Sequence, residues 1–192
     1  TLSVTGPGSG PGFAALCAGE ADVVGASRRI TAAESQACSG EGVSYVELPV
    51  ALDGISVLTD PGFDLDCLAV EDLYALLGPE SFGLETWSDA NDLAVAVGAH
   101  YAPYPDASLD VTAPGPESGT YDEFVDLVIR GKAGGPDFAD SRSAQWATAT
   151  PPIAAAAMRT DYIASADDDV VIEGVTSSAT SLGWVGFAYY TE

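Results

Sequence analysis

Apolar and polar positions alternate between strand-like and helix-like rhythms along the chain. Leu2 to Thr5 is a short apolar run that predicts a strand, and it leads into the glycine-rich turn 6–12. Phe13, Leu16 and Cys17 fall on one side of a predicted helix over Phe13 to Gly19. Ala21 to Ala26 predicts a second strand, which stops at Ser27-Arg28-Arg29. Strand, glycine loop, helix and strand make a βαβ-like unit of an α/β fold.

Further on, Val43 to Thr59 is the most strand-like region, with Tyr45 to Leu48 and Gly54 to Leu58 separated by Pro49 and Asp53-Gly54. Val70 to Leu77 predicts an amphipathic helix opened by Glu71 and Asp72, and Ser88 to Asn91 predicts another helix start within Trp87 to Val97. Leu109 to Val111 predicts a strand. A second glycine-serine loop, Pro114 to Thr120, then precedes helical spacing at Phe124, Leu127 and Val128. Gly134 to Pro152 has no clean period and reads as irregular. Val170 to Val175 and Trp184 to Tyr190 are short apolar segments, the second strand-like.

The arrangement strand, Gly/Ser loop, helix thus occurs twice, near Ser9 and near Ser118. The first N–H groups of a helix lack helical partners, and the helix dipole adds partial positive charge there. Two such ends facing each other would hold an anion with almost no cationic side chains; two ordinary tight turns are the plainer alternative.

Charge sharpens that choice. The chain carries 29 acidic residues against six cations, Lys132 and five arginines, for a net charge of −23. Nucleic acid and anionic membranes reward clustered Lys and Arg, so neither is an expected partner. A salt-rich habitat or an ordinary acidic secreted protein would account for the excess. The 47% hydrophobic content, with 21 Gly and 12 Pro, is that of a globular chain rich in turns. No apolar run reaches membrane-spanning length, and no basic-plus-apolar leader stands at Thr1, as in a mature or trimmed chain. Cys17, Cys38 and Cys67 form no CxxC pair and His100 is the lone histidine, so neither zinc nor any other cofactor is expected. A Cys17–Cys38 disulfide in an oxidising compartment is expected, with three buried thiols as the alternative; Cys67 is left over.

Several words of the sequence recur in order in one family. Residues 8–13 (GSGPGF), 17–22 (CAGEAD), 25–30 (GASRRI), 47–54 (ELPVALDG), 117–122 (ESGTYD) and 183–190 (GWVGFAYY) together resemble the phosphate-binding PstS family over nearly the whole chain. The resemblance implies an α/β fold of the two-lobed periplasmic-binding-protein type (type II), with phosphate in the cleft and delivery to an ABC importer outside the cytoplasm. Residues 1–50 would be part of the first lobe and 51–192 the second. By motif position, Ser9, Gly10 and Ser27 would bind phosphate from the first lobe, and Ser118, Gly119 and Thr120 from the second. The best-known members of the family carry an aspartate where this chain has Arg28, and an arginine where it has Pro114. Arg28 is therefore the expected charged contact, with a solvated loop residue as the alternative. Asp53 would be the acceptor for the ligand's proton, or an Asp-Gly turn capping its own backbone. Arg159 is a weaker second cation, or an ion pair. Because the family's first loop and its return to the first lobe are missing, the resemblance also implies an incomplete first lobe, left by trimming or completed by a second chain. No enzymatic activity is expected. The rival readings are a serine hydrolase using Ser118, His100 and Asp53, which lacks the G-x-S-x-G elbow, and a surface interaction module without ligand.

Overall fold

The computed structural model describes residues 3–6, 8–52, 54–65, 67–130, 142 and 158–190. Its sheet has four strands, β1 (Ile55–Thr59), β2 (Asp110–Ala113), β3 (Ile163–Ala164) and β4 (Ser181–Gly186), in the order β1-β4-β2-β3. β1 runs antiparallel to β4, whereas β2 is parallel to both β4 and β3. All six residues of β4 are buried, which explains why Leu182 to Gly186 show no alternation of apolar and polar positions. The fold class is α/β, as expected.

Around the sheet lie α3 (Val70–Leu77), α4 (Asn91–Val97), α5 (Gly119–Phe124), continued by one π-helical turn Val125–Ile129, and α6 (Asp168–Thr176). Trp87, Trp184, Tyr74 and Phe124 anchor the core, and the Phe124 and Trp184 rings stack at 4.1 Å. α3 departs from its expected amphipathic character, because Asp72 to Leu77 are all buried. A buried carboxylate is costly unless hydrogen-bonded. Asp72 accepts from the backbone N–H of Ala69, His100 and Tyr101 and from the Tyr104 hydroxyl, so it fastens the 98–104 loop to α3. Tyr104 has its pKa raised by burial and by its bond to Asp72.

The first fifty residues contain two helices, α1 (Ser9–Cys17) and α2 (Ala32–Gly40), joined by the Cys17–Cys38 disulfide, with Cys67 free and exposed. α1 starts at Ser9, inside the expected glycine turn; Pro11 is tolerated there because first-turn N–H groups have no helical partner. α2 opens on a capping box in which Thr31 Oγ1 accepts from Glu34 N–H and the Glu34 carboxylate accepts from Thr31 N–H. The strands expected at Leu2–Thr5, Ala21–Ala26 and Tyr45–Leu48 are not formed among the described residues. A strand needs a neighbour to receive its backbone hydrogen bonds, and these runs stand open, with Val23 88% and Val46 82% exposed. The C-terminal run also divides: β4 stops at Gly186 and Phe187–Tyr190 turn into a short helix, with Phe187 N–H donating to the Gly54 carbonyl. Apart from residue 142, the stretch expected to be irregular lies outside the described residues.

Candidate anion-binding site

Two loops meet at residues that the sequence offered as candidates for holding an anion. The first enters α1 through Gly8, whose φ of 97° lies in the left-handed region. Ser9, 4% exposed, accepts a hydrogen bond on its Oγ from the Ser27 backbone N–H at 3.2 Å. The second leaves β2 through Pro114 and enters α5 at Ser118, whose Oγ accepts from Thr120 N–H at 3.1 Å. Contact between the loops is close enough to require glycine. A Cβ on Gly119 would lie 2.4 Å from Ser9 Oγ and 2.8 Å from Ser27 Cβ; one on Gly8 would lie 2.1 Å from the Glu117 carbonyl oxygen.

Ser9, Ser27 and Gly119 are thus in direct contact, and Ser118 and Thr120 flank them in sequence. Gly10 lies beside Arg28, since a Cβ there would be 3.9 Å from Nη2. Asp53 lies outside the described residues. Arg159 belongs elsewhere: it is 4% exposed, pairs with Asp161, and donates to the carbonyls of Leu76 and Leu84. It ties the end of α3 to the 84 and 161 segments as a buried structural brace.

Arg28 is more heavily engaged than a free ligand-binding fork. Its Nη1 and Nη2 reach the two Glu34 oxygens at 2.9 and 2.8 Å, Nη1 also donates to the Arg29 carbonyl, and Nε pairs with Asp122. Its side chain is 13% exposed, and its guanidinium carbon sits 5.0 Å from the centroid of the Phe13 ring. Of the five guanidinium N–H groups, one on Nη2 has no partner among these bonds, on the atom nearest Gly10. The hydrogen bonds from Arg28 hold the Glu34 carboxyl down to about 2 against burial, and the Arg28 pKa is raised, chiefly through Glu34. One cation facing two carboxylates leaves the trio with a net negative charge.

Sequence reasoning missed Glu34 and Asp122. The first had a signal, since Thr31-Ala32-Ala33-Glu34 is a capping-box pattern. Asp122 is a first-turn acid in α5, and first-turn acids are common at helix starts. An open groove of about 780 Å³ lies between α1 and α2, lined among others by Phe13, Ala14, Ala37, Glu34 and Glu41. Two acids in its lining make it a poor receptacle for an anion. Among the described residues no hydrogen bond joins Ser118 to His100, whose backbone N–H binds Asp72. Ser118 acts as a helix cap, its Oγ accepting from Thr120 N–H.

Residues 1–184 match the family model described as "PBP superfamily domain". The chain is 32% identical over 191 residues to Protein SphX of Synechocystis sp., covering 98% of this chain and 47% of that one. It is 24% identical over 192 residues to the phosphate-binding protein PstS of Staphylococcus aureus, covering 100% and 47%. A solved structure of a possible phosphate binding protein from Planctomyces limnophilus superposes with a TM-score of 0.53 at 28% identity, covering 96% of this chain and 54% of that one. The chain therefore spans about half the length of the curated relatives it matches. Each of those is one polypeptide about twice as long as the shared stretch, so nothing among them supports a separate completing chain.

Proposed function

The chain belongs to the PBP superfamily, and we propose that it binds inorganic phosphate between its two Gly/Ser loops, as a substrate-binding protein of an ABC importer and not as an enzyme. Contact of Gly119 with Ser9 and Ser27 carries this reading. It brings two helix entrances together, so N–H and hydroxyl donors from both loops converge on one small volume. Ser9, Gly10 and Ser27 supply one side, Ser118, Gly119 and Thr120 the other, and Arg28 adds its remaining N–H. Asp53 is proposed as the acceptor that recognises a protonated phosphate. Residues 1–50 belong to one lobe and 51–192 to the second, with the cleft between them. The names of the relatives support the ligand, and the Cys17–Cys38 disulfide fits an extracytoplasmic compartment.

Titration calorimetry of the protein with phosphate and with sulfate tests this. One phosphate per chain is expected, with sulfate weaker because it brings no proton for the Asp53 acceptor and leaves it unpaired. Ser9→Ala and Ser118→Ala should each weaken phosphate binding. No heat with phosphate would refute the reading, and equal affinity for the two anions would remove Asp53 from it.

A further inference from the structure

Arg28 joins parts of the chain that are remote in sequence. Its Nε pairs with Asp122, 94 residues away, while Glu34 grips the opposite edge of the same guanidinium with two hydrogen bonds. Glu34 is itself fixed by the Thr31 capping box at the head of α2, and Phe13 of α1 supports the guanidinium face. Three elements, α1, α2 and α5, therefore share one side chain. Only arginine can do this, because its planar fork offers two edges and a stacking face where lysine offers a single point charge.

We propose that Arg28, Glu34 and Asp122 form a latch that holds the two anion-binding loops against each other before a ligand arrives. Glu34 and Asp122 are its positioning residues. The pairing residues sit next to the contact itself: Ser27 immediately precedes Arg28, and Gly119 stands three residues before Asp122. The loops cannot separate without pulling Arg28 from Asp122. The latch is not an anion trap, since two carboxylates outweigh one guanidinium; its effect is to keep the donors of both loops assembled. A protein whose binding-competent form is only partly populated loses apparent affinity in proportion to that fraction. The consequence for affinity rests on the phosphate reading above, whereas the latch itself can be observed without ligand.

The test is amide hydrogen exchange on the phosphate-free protein and its Asp122→Asn and Glu34→Gln variants. Exchange should accelerate in residues 8–12 and 118–121 together, while amides of α3 and β4 keep their rates. Phosphate affinity by calorimetry should fall roughly tenfold in Asp122→Asn, within the usual range of coupling between sites. Asp122→Glu should restore most of the loop protection. Unchanged exchange at 8–12 in Asp122→Asn would overturn the latch, as would failure of Asp122→Glu to restore it. If the parent protein binds no phosphate, the ligand reading falls while the exchange result still decides the latch.

Discussion

Replacing Gly119 by alanine perturbs the loop contact with one carbon atom. Gly119 is not among the residues with left-handed backbone, so alanine is conformationally acceptable there and even favours the helix, by at most about 1 kcal/mol. The difficulty is space. The new methyl would lie 2.4 Å from Ser9 Oγ, 2.8 Å from Ser27 Cβ and 3.1 Å from Ser27 Oγ, where non-bonded atoms prefer roughly 3.5–4.0 Å. Either the loops part by about an ångström or they bear the overlap, and overpacking of this kind costs about 1–3 kcal/mol. The relief comes from parting, since neither loop is part of the β4 core. Loss of phosphate affinity by about 5- to 150-fold follows if the ligand needs the loops together. Urea unfolding should show little change in the stability of the core.

Gly8→Ala is the contrasting variant. Its methyl would meet the Glu117 carbonyl oxygen at 2.1 Å, and φ of 97° opposes any side chain, so stability should fall along with binding. Calorimetry and urea unfolding on both variants separate the two effects. Parental phosphate affinity in Gly119→Ala would refute the argument that the site lies at this contact.

Glu34 makes part of the acid stability. Its folded pKa is depressed to about 2 from 4.5, so its contribution is complete above pH 4.5 and disappears as pH falls towards 2. That shift is worth about 3 kcal/mol at face value, reduced to about 1–2 kcal/mol by solvent at a side chain 24% exposed. Glu34→Gln should flatten the unfolding midpoint between those pH values, and an acid limb identical to the parent's would disprove it. Asp72→Asn places amide hydrogens against groups that all donate, and should cost about 2–4 kcal/mol in urea unfolding. A cost below 1 kcal/mol would mean that the 98–104 loop re-forms its bonds elsewhere. Reduction of the Cys17–Cys38 bridge, with 21 residues of separation, should lower stability by about 3 kcal/mol, while Cys67 alkylates without reductant. Alkylation of Cys17 or Cys38 in unreduced protein would contradict the pairing.

Legibility in the sequence followed how local each feature is. Both glycine-serine loops were readable, because turn chemistry and a helix start depend on neighbours in the chain. The strands expected at Ala21–Ala26 and Tyr45–Leu48 were not, since a strand depends on a partner that no local pattern reveals. Asp72 was readable only as an acid opening a helix, and the fold shows that residues 100 to 104 close over it. Arg28 was recognisable as unusual, one of six cations, but its two carboxylate partners come from helices on either side. Glu34 is six residues away and Asp122 ninety-four, so the first was within reach of a capping-box reading and the second was not.

Free positive charge is scarce among the described residues, and that has a kinetic consequence. Arg28 is paired with two acids, Arg29 lies 3.8 Å from Glu47, Arg130 pairs with Asp126 and Arg159 with Asp161. Arg142 is buried, 5.5 Å over the Tyr74 ring. Arg29 and Arg130 are the more exposed of these arginines, but each faces an acid, and the chain as a whole carries −23. A phosphate dianion therefore approaches against the protein's field, and its affinity must come from short hydrogen bonds at contact. Salt shortens the reach of that field, from about 30 Å at 0.01 M to about 8 Å at 0.15 M, while leaving the contact bonds nearly untouched. Stopped-flow association of phosphate should accelerate several-fold between about 0.01 and 0.15 M salt, the reverse of electrostatically steered binding. Dissociation should change much less. An association rate that falls with salt would require a positive field at the site, and would place the ligand beside cations other than Arg28.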